Sequence, residues 1–473
     1  MDFLSRKPFT NVKNFVIIYE VNTLIFQSRS FAMYQYTRRH FLRLCFRAMI
    51  FLGLGGLIPA RMFPRAEASE VLPDGLHVPQ DYLRSLPTKN LRQIITADPS
   101  KSCTIMWQST ELQKGARLEY RKHGAKGAGW ADISYEYFTL EDQQLFIYTA
   151  HLERLEPGTH YDCRVVRDDA AGKWMSLQTA GYESLQAIIV CDSQCAETYE
   201  DWETTIHAAA RHFPKANFIA DLGDITDNGQ SAWHWKSWYS GIADLLPLYP
   251  FVPVMGNHEC YSLEWKDCLP ENYLHQFSLP TNGSKKFLGY YYSFNYGPAH
   301  FLVLNNNFLE LDELRPGLLE EQRAWMMEDL SRDKHPWRIV LMHKDIHSYN
   351  EYNFYTKEIG GLNDIAHDFM PDFEALGIDL VLTGHMHTYR NRGHLYDFKP
   401  ADHGPVYVLC GLSGNARYDV PLDPMFDKVS SPQPETDNYV ILDASPKMLR
   451  LRCFLPDGTL IDDMALSKES RKQ

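Results

Sequence analysis

Aspartate, asparagine and histidine recur at five separated points of this sequence, each time after a run of apolar residues. Carboxylate and amide oxygens and imidazole nitrogens are ligands that suit Fe, Zn and Mn. Two such ions bound side by side need a bridging carboxylate and further oxygen and nitrogen ligands around it. The pattern therefore predicts a site for two metal ions, Fe, Zn or Mn. Its expected ligands are Asp192, Asp224, Asn257, His343, His385 and His387.

The apolar runs before these residues predict the strands that position them. Helical patterns at 199–211, 318–330 and 370–376 lie between the runs. Strands that alternate with helices predict a layered α/β domain. Loops at the carboxyl ends of such strands meet at one edge of the sheet, where ligands commonly bind. We therefore expect the six side chains to converge there.

Residues 86–180 have a different pattern, with short alternating strands separated by turns. Trp107 suits the core of a β sandwich, and Tyr161 is placed to form a tyrosine corner, in which its hydroxyl bonds to upstream backbone. The stretch resembles an all-β fibronectin type III-like sandwich, and another small β sandwich is the alternative. No catalytic cluster is evident in it.

Five motifs together resemble the signature of calcineurin-like metallophosphoesterases. They are Asp192-Ser193-Gln194, Gly223-Asp224, Gly256-Asn257-His258-Glu259, His343 and Gly384-His385-Met386-His387. Each motif alone recurs by chance, but all five in order after predicted strands do not. With the preceding sandwich, the most similar subgroup is the purple acid phosphatases. The resemblance spans residues 86–470 and implies an α+β layered sandwich of two mixed sheets flanked by helices.

The resemblance also implies a role for each residue. Asp192 and His387 would bind the first metal, Asp224 would bridge both, and Asn257, His343 and His385 would complete the second site. His258 would donate a hydrogen bond to phosphate or a proton to the leaving oxygen. Glu259 would orient His258, because metal sites commonly use carboxylates in this supporting role.

Two positions depart from the family pattern. Gln194 stands where the broad signature has His, and it either ligates weakly through its amide oxygen or holds a metal-bound water. Asp227 stands where purple acid phosphatases have a Tyr ligand to iron. Without that phenolate, we expect a colourless enzyme.

The implied reaction is hydrolysis of a small phosphorylated substrate, in which a metal-activated hydroxide attacks phosphorus. We expect a phosphomonoesterase. A phosphodiesterase acting on glycerophosphodiesters or cyclic nucleotides is the alternative, because Gln194 and Asp227 depart from the strict pattern. A binding protein without catalysis is a third hypothesis, which six intact ligand positions disfavour.

Side chains near these motifs have open roles. His347 is either a second catalytic imidazole on the substrate side or a loop histidine with no role, and Tyr349 is a further pocket residue. Arg390 and Arg392 either clamp a phosphate or lie in a solvated turn, and the turn is the favoured interpretation. His207 and His212 have no metal partner in the spacing, so packing or surface roles are expected.

Charge divides the chain in two. Residues 1–69 hold ten of the 47 Lys and Arg and three of the 60 Asp and Glu, so the remainder has a formal charge of −20. Nucleic acid is therefore not expected as the main partner, because phosphate backbones attract clustered Lys and Arg.

The basic N-terminal region resembles an export signal. Thr37-Arg38-Arg39-His40-Phe41-Leu42-Arg43 is similar to the twin-arginine motif, and the apolar run 48–60 and Ala66-Glu67-Ala68 follow it. Thirteen apolar residues are too few to span a bilayer. We expect residues 1–68 to be the export signal region, 69–85 a linker, 86–180 the β sandwich and 185–470 the metallophosphoesterase domain.

The signal-like segment predicts export through the twin-arginine machinery to the bacterial periplasm or to the outside of the cell. We expect no stable membrane span in the mature chain. An uncleaved helix or an amphipathic anchor is the alternative, and Met33 is a second possible start. Cysteine pairing stays open. Cys103 with Cys163 and Cys260 with Cys268 are possible disulfides, whereas folding before export favours reduced thiols.

Overall fold

The computed structural model describes residues 89–113, 115–141, 143–167, 170–349, 352–353, 357–432 and 437–468. The predicted export signal and linker lie outside these residues. Among the described residues, no helix combines the length and apolar character needed to cross a membrane.

Short strands dominate the first part of the fold. They are β1 Lys89–Ile94, β2 Cys103–Ser109, β3 Arg117–Lys122, β4 Gly129–Ala131, β5 Ile133–Leu140, β6 Gln143–Leu152, β7 His160–Arg167, β8 Ala170–Ala171 and β9 Met175–Gln178. The hydroxyl of Tyr161 accepts a hydrogen bond from the backbone N–H of Glu156 at 2.9 Å, as the predicted tyrosine corner requires. Trp107 is fully buried and stacks on Tyr148.

Strands and helices alternate through the second part. The strands are β10 Leu185–Val190, β11 Phe218–Asp221, β12 Pro250–Pro253, β13 Tyr292–Tyr296, β14 Ala299–Val303, β15 Trp337–Leu341, β16 Tyr352–Asn353, β17 Glu358–Ile359, β18 Leu380–Thr383, β19 Tyr389–Tyr396, β20 Lys399–Pro400, β21 Val406–Cys410, β22 Val429–Ser430, β23 Tyr439–Ala444, β24 Met448–Phe454 and β25 Leu460–Ser467. The helices are α1 Glu200–His212, α2 Ala232–Ile242, α3 Glu271–Gln276, α4 Phe308–Leu311, α5 Leu318–Arg332 and α6 Asp364–Ala375, with 3₁₀ turns at His258–Cys260 and Lys285–Phe287.

Two large mixed sheets carry the second part, which agrees with the expected fold class. One has ten strands in the order β25-β24-β23-β10-β11-β12-β1-β2-β6-β5. The other has eight, in the order β13-β14-β15-β18-β21-β19-β20 with β22 paired to β19. Aromatic side chains join the two sheets, since Phe218 on β11 packs edge-on against Phe294 and Phe301. The ligand-bearing loops leave β10, β11 and β12 in one sheet and β15 and β18 in the other.

The ten-stranded sheet continues into the first part of the chain. β1 pairs in parallel with β12, with Gln93 opposite Pro250 and Ile94 opposite Phe251. β2, β6 and β5 then extend the sheet, while β3, β4, β7, β8 and β9 form the facing sheet of the sandwich. One layer of the sandwich is therefore also the edge of the central sheet.

All eight cysteines of the described part are free thiols, and all but Cys268 are buried.

The tryptophans that follow the Asp224 loop differ in exposure. Trp235 and Trp238 on α2 are buried, whereas Trp233 is about half exposed.

Candidate metal centre

The six expected ligands lie in turns that directly follow strands, and four of them have unusual backbone geometry. Asp192, Asp224, His385 and His387 have φ angles of 50°, 52°, 78° and 51°. The left-handed region is costly for residues with a β-carbon, and such strain persists where the surroundings fix it. It clusters at functional sites, and here the strained residues are the polar ones whose side chains meet.

One group consists of Asp192, Asp224 and His387, whose donor atoms lie within 4.8 Å of one another. The Nε2 atom of His387 is 3.5 Å from a carboxylate oxygen of Asp192. Its Nδ1–H donates to the carbonyl of Ala416 at 2.9 Å, so the lone pair of Nε2 faces the group. This Nε2 is buried without a hydrogen-bond partner, which is the arrangement of a ligand prepared for a metal ion.

A second group consists of Asp224, His343 and His385, again within 4.8 Å. His343 Nδ1–H donates to the carbonyl of Leu222 at 2.9 Å. Its Nε2 therefore faces Asp224 Oδ2 at 3.0 Å and Asn257 Oδ1 at 3.1 Å. Three polar atoms that meet in this way suit a cation bound between them. His385 Nδ1 is also buried without a partner.

Asp224 belongs to both groups, so its two oxygens can serve two neighbouring ions. The donor set of carboxylate, amide and imidazole fits Fe, Zn or Mn, and the buried atoms without partners fit bound cations. The residues present therefore suit a dinuclear metal centre.

Burial and mutual contact set the pKa values in this centre. Burial opposes ionisation of Asp224, but His343 and His258 hold its pKa well below the ordinary value. Burial raises the pKa of Asp192 well above its ordinary value. Burial lowers the pKa of His387 to about 3 and, with the charge of His343, lowers that of His385 as well. Both imidazoles are therefore neutral, the form that binds metal.

The pKa of His343 shifts in the opposite direction from those of His385 and His387. Burial lowers its pKa, but contact with Asp224 raises it by more, to about 9. A proton is thus held where a cation would lie between His343, Asp224 and Asn257.

Glu259 has a different task from the one expected of it. Its carboxylate accepts hydrogen bonds from the backbone N–H groups of Asp224, Ile225, Thr226 and Gly256, at 2.8–3.3 Å. The expectation that it orients His258 directly was wrong. Instead it fixes the turn that carries Asp224 to the turn that carries Asn257. Gly256 is required there, because a methyl group on it would overlap the Asp224 carboxylate.

Gln194 lies between the bridging carboxylate and His258. In the amide orientation that satisfies its neighbours, the nitrogen donates to Asp224 Oδ2 and to the Asp224 carbonyl, both at 3.2 Å. The amide oxygen then faces His258 Nε2 at 3.4 Å. Gln194 therefore contacts both the shared carboxylate and the expected acid, and its part as ligand or water holder stays a prediction.

His258 lies beside the centre and is 8% exposed. Its Nδ1–H donates to the carbonyl of Asp227 at 2.6 Å, which turns Nε2 toward Asp224 Oδ2, 3.8 Å away. Burial lowers its pKa, but Asp224 and Asp227 raise it by more, so the net pKa is above the ordinary value. The imidazole packs edge-on against the half-exposed ring of Trp265, with the ring centroids 5.6 Å apart.

His347 and Tyr349 lie in a separate polar cluster. Both ring nitrogens of His347 have protein partners, Asp423 at 2.8 Å and the backbone N–H of Tyr349 at 2.8 Å. The ring is 2% exposed. Tyr349 donates to Asp427 and accepts from Arg392. A catalytic role for His347 stays a prediction, and its contacts are those of a residue that holds a loop.

The expectation that Arg390 and Arg392 lie in a solvated turn was wrong. Both are on β19 and fully buried. Arg392 binds both oxygens of Asp345, at 3.0 and 2.6 Å. Arg390 and Arg392 also approach the two oxygens of Asp427 at 3.6 and 3.7 Å. Their spacing could have indicated a strand in the sequence, because two arginines two residues apart lie on the same face of a strand.

Comparisons with known proteins agree with this architecture. Residues 185–389 match the family described as calcineurin-like phosphoesterase, and residues 88–179 match the purple acid phosphatase N-terminal domain. Purple acid phosphatase 15 of Arabidopsis thaliana is 28% identical over 205 residues, which are 43% of this chain and 36% of that protein. Phosphoenolpyruvate phosphatase of Allium cepa is 25% identical over 343 residues, 67% of this chain and 65% of that protein.

A solved structure has the same fold. Purple acid phosphatase PPD1 from yellow lupin seeds superposes with a TM-score of 0.67 at 17% identity, over 81% of this chain and 75% of its own. The matched regions span from about a third to two thirds of the curated relatives' own lengths.

Proposed function

We propose that this chain, which joins a calcineurin-like phosphoesterase domain to a purple acid phosphatase N-terminal domain, hydrolyses phosphate monoesters at a dinuclear metal centre. The observation that carries the proposal is the position of Asp224, which belongs to both ligand groups. A single shared carboxylate with separate imidazoles on either side suits two ions held close together.

Two bound ions would acidify a water and neutralise the phosphoryl oxygens. The side chains of the protein hold the ligand geometry and supply the proton for the leaving group. Asp192, Asp224 and the three imidazoles fix the geometry, because backbone contacts hold each of their turns. His258 directs Nε2 into the site, where it can donate a proton to the leaving alkoxide as the phosphorus–oxygen bond breaks.

A monoester is favoured over a diester by the relatives, which are named as phosphatases, one of them of phosphoenolpyruvate. Phosphodiester hydrolysis is the second hypothesis, and the departures at Gln194 and Asp227 favour it. We take the monoester as the proposed substrate class.

The test compares two chromogenic substrates on protein stripped of metal and reloaded with Zn²⁺, Fe or Mn²⁺. We expect hydrolysis of p-nitrophenyl phosphate to depend on metal and to exceed that of bis-p-nitrophenyl phosphate. Asp224→Asn should lower kcat at least about 100-fold, because it removes charge from both ion sites. Asp402→Asn, on a side chain that is 98% exposed, is the matched control.

Two outcomes would contradict the proposal in different ways. Faster cleavage of the diester would identify a phosphodiesterase. Equal activity of wild type and Asp224→Asn would exclude catalysis at this centre.

We also propose that the enzyme acts outside the cytoplasm. The support is the twin-arginine-like segment Thr37–Arg43, with the apolar run that follows it. Fractionation of cells that express the chain should find it in the periplasm, and Arg38→Lys combined with Arg39→Lys should retain it inside. Equal export of both forms would contradict this.

A further inference from the structure

A second set of metal-type ligands lies away from the dinuclear centre, at the start of β14 and in the turn after α5. His300, Asp333 and His335 each offer one donor atom, and these atoms lie within 4.8 Å of one another. Asp333 Oδ1 is 2.7 Å from His335 Nδ1 and 3.9 Å from His300 Nδ1. Ligand atoms around one tetrahedral Zn²⁺ are about 3.4 Å apart, so the two observed distances bracket the required one.

Outer contacts orient these side chains as in known metal sites. The other ring nitrogen of His300, Nε2, meets the carboxylate of Asp329 at 2.8 Å. The other oxygen of Asp333, Oδ2, accepts from Arg338 Nε at 2.9 Å. A ligating histidine typically donates its second N–H to a carboxylate, and a ligating carboxylate is typically hydrogen-bonded in turn. Asp333 Oδ1 also accepts from the backbone N–H of His335 at 3.0 Å, and it lies near the Nδ1 atoms of both histidines.

Asn295 supplies a fourth donor. It lies opposite His300 in the β13–β14 ladder, with its amide oxygen 2.7 Å from His300 Nδ1. His300 therefore has an oxygen acceptor at each ring nitrogen, and a neutral imidazole can donate to only one of them. A metal ion on the Nδ1 side would satisfy both atoms, because it attracts the nitrogen lone pair and the amide oxygen. An imidazole protonated on both nitrogens is the other arrangement that satisfies them, and the zinc count below separates the two.

There is also room beside the cluster. Asn295 and His335 line a cavity of about 120 Å³, and a bound water needs about 10–15 Å³ by the same measure. His300 and Asp333 do not line this cavity, so it offers space for water beside the cluster and not the position of the ion itself.

We propose that His300, Asp333 and His335, with the amide oxygen of Asn295, bind a third divalent transition-metal ion such as Zn²⁺. Two imidazoles and one carboxylate are a ligand set that Zn²⁺ commonly takes, completed by amide oxygen or water. The ion joins β13 and β14 to the turn between α5 and β15. Its role is structural, because it has no contact with the residues assigned to hydrolysis.

The test counts metal ions in the full-length protein. Wild type, His335→Ala and the control His403→Ala are saturated with Zn²⁺, dialysed and analysed by mass spectrometry for zinc per chain. His403 also contacts a neighbouring carboxylate, Asp402 at 2.8 Å, but it is exposed. We expect His335→Ala to lose one equivalent and His403→Ala to match wild type. His335 is about a third exposed, so its truncation should leave the fold intact, which circular dichroism checks.

Zinc content, hydrolysis and Tm of two variants distinguish this site from the dinuclear centre of the proposed function. Asp224→Asn should lose ions from the dinuclear centre and lose hydrolysis but keep the third equivalent, whereas His335→Ala should keep hydrolysis of p-nitrophenyl phosphate. Zn²⁺ should also raise the Tm of Asp224→Asn, and not that of Asp224→Asn combined with His335→Ala. The same zinc content in wild type and His335→Ala would overturn the proposal, and it would leave the dinuclear centre unaffected.

Discussion

At the scale of single residues, His258 is the side chain whose geometry points most directly to a chemical step. The Asp227 carbonyl holds Nδ1–H, and Nε2 faces the shared carboxylate. His258 is in neither ligand group, so its removal should spare metal binding. Burial lowers its pKa, but Asp224 and Asp227 raise it by more, which favours the protonated form that a general acid needs.

We therefore predict that the effect of His258→Ala depends on the leaving group. For an alkyl phosphate such as glycerol phosphate, kcat should fall about 100-fold, the usual contribution of a general acid. For p-nitrophenyl phosphate, whose leaving phenolate needs little protonation, the fall should be much smaller. His234→Ala is the control, because the His234 imidazole lies 3.8 Å from the other carboxylate oxygen of Asp227, Oδ2. Equal losses on both substrates would exclude proton donation by His258.

A second residue-scale prediction concerns colour. Asp227 stands where purple acid phosphatases have a tyrosine ligand, and its carboxylate lies 4.0 Å from His258 Nδ1. Protein loaded with Fe³⁺ should therefore show no intense visible charge-transfer band. Absorption spectra of wild type and Tyr418→Phe check this, because the Tyr418 ring stacks on His387 at 4.1 Å. A strong band that disappears in Tyr418→Phe would contradict the prediction and identify a phenolate ligand.

At the scale of elements, the sequence predicted the ligands better than their supports. The ligands follow apolar strands, and strand ends are visible as periodicity in a sequence. The supporting contacts are of another kind. Glu259 accepts hydrogen bonds from backbone N–H groups, and Arg392 binds Asp345, 47 residues away. Such partners are set by tertiary packing, and nothing in the local sequence identifies them. The same holds for His300 and His335, which meet only because β14 and β15 are neighbours.

Helices α1 and α2 give a prediction about pH. His207 on α1 contacts both oxygens of Asp244, just after α2, at 3.0 and 3.1 Å. Burial lowers the pKa of His207, but Asp244 raises it by more, so the net pKa is above the ordinary value. A raised histidine pKa stabilises the fold fully below the unfolded value of about 6.5, and the contribution is lost as pH rises through the folded pKa.

His207→Gln should therefore be less stable than wild type by about 1.5 kcal/mol below pH ~6, the usual value for a charged hydrogen bond. The difference should shrink as pH rises above ~6.5. Urea unfolding of both proteins across this range measures it. His212→Gln is the control, because His212 lies on the same helix but contacts the Tyr439 hydroxyl. A difference that is constant with pH would exclude the charged contact.

At the scale of the whole molecule, the feature that the sequence did not predict is the shared sheet. Patterns at 86–180 and 185–470 indicated a sandwich followed by a layered domain, and both architectures are present. The parallel pairing of β1 with β12 joins residues more than 150 positions apart. Alternation marks a strand but not its partner, so this joint is invisible in the sequence.

Side chains reinforce the joint. Arg92 on β1 is fully buried, and its Nε and Nη2 donate to the carbonyl of Gln276 at the end of α3, at 3.0 and 2.7 Å. Gln108 on β2 donates to the side-chain oxygen of Gln276 at 2.5 Å. Separating the two parts would therefore expose a strand edge and leave buried polar groups unpaired, each costing about 1–3 kcal/mol.

We predict that the sandwich and the layered domain unfold together. In hydrogen exchange at increasing urea, peptides from β2 and β6 should open with the same midpoint as peptides from β10 and β11. Arg92→Ala should make β2 and β6 open first, because it removes the bonds to Gln276. Arg117→Ala, whose guanidinium lies over the half-exposed Trp130 in the same sandwich, should keep the two midpoints together. Separate midpoints in wild type would mean that the β1–β12 pairing does not couple the two parts, and the metal centre would then depend on the layered domain alone.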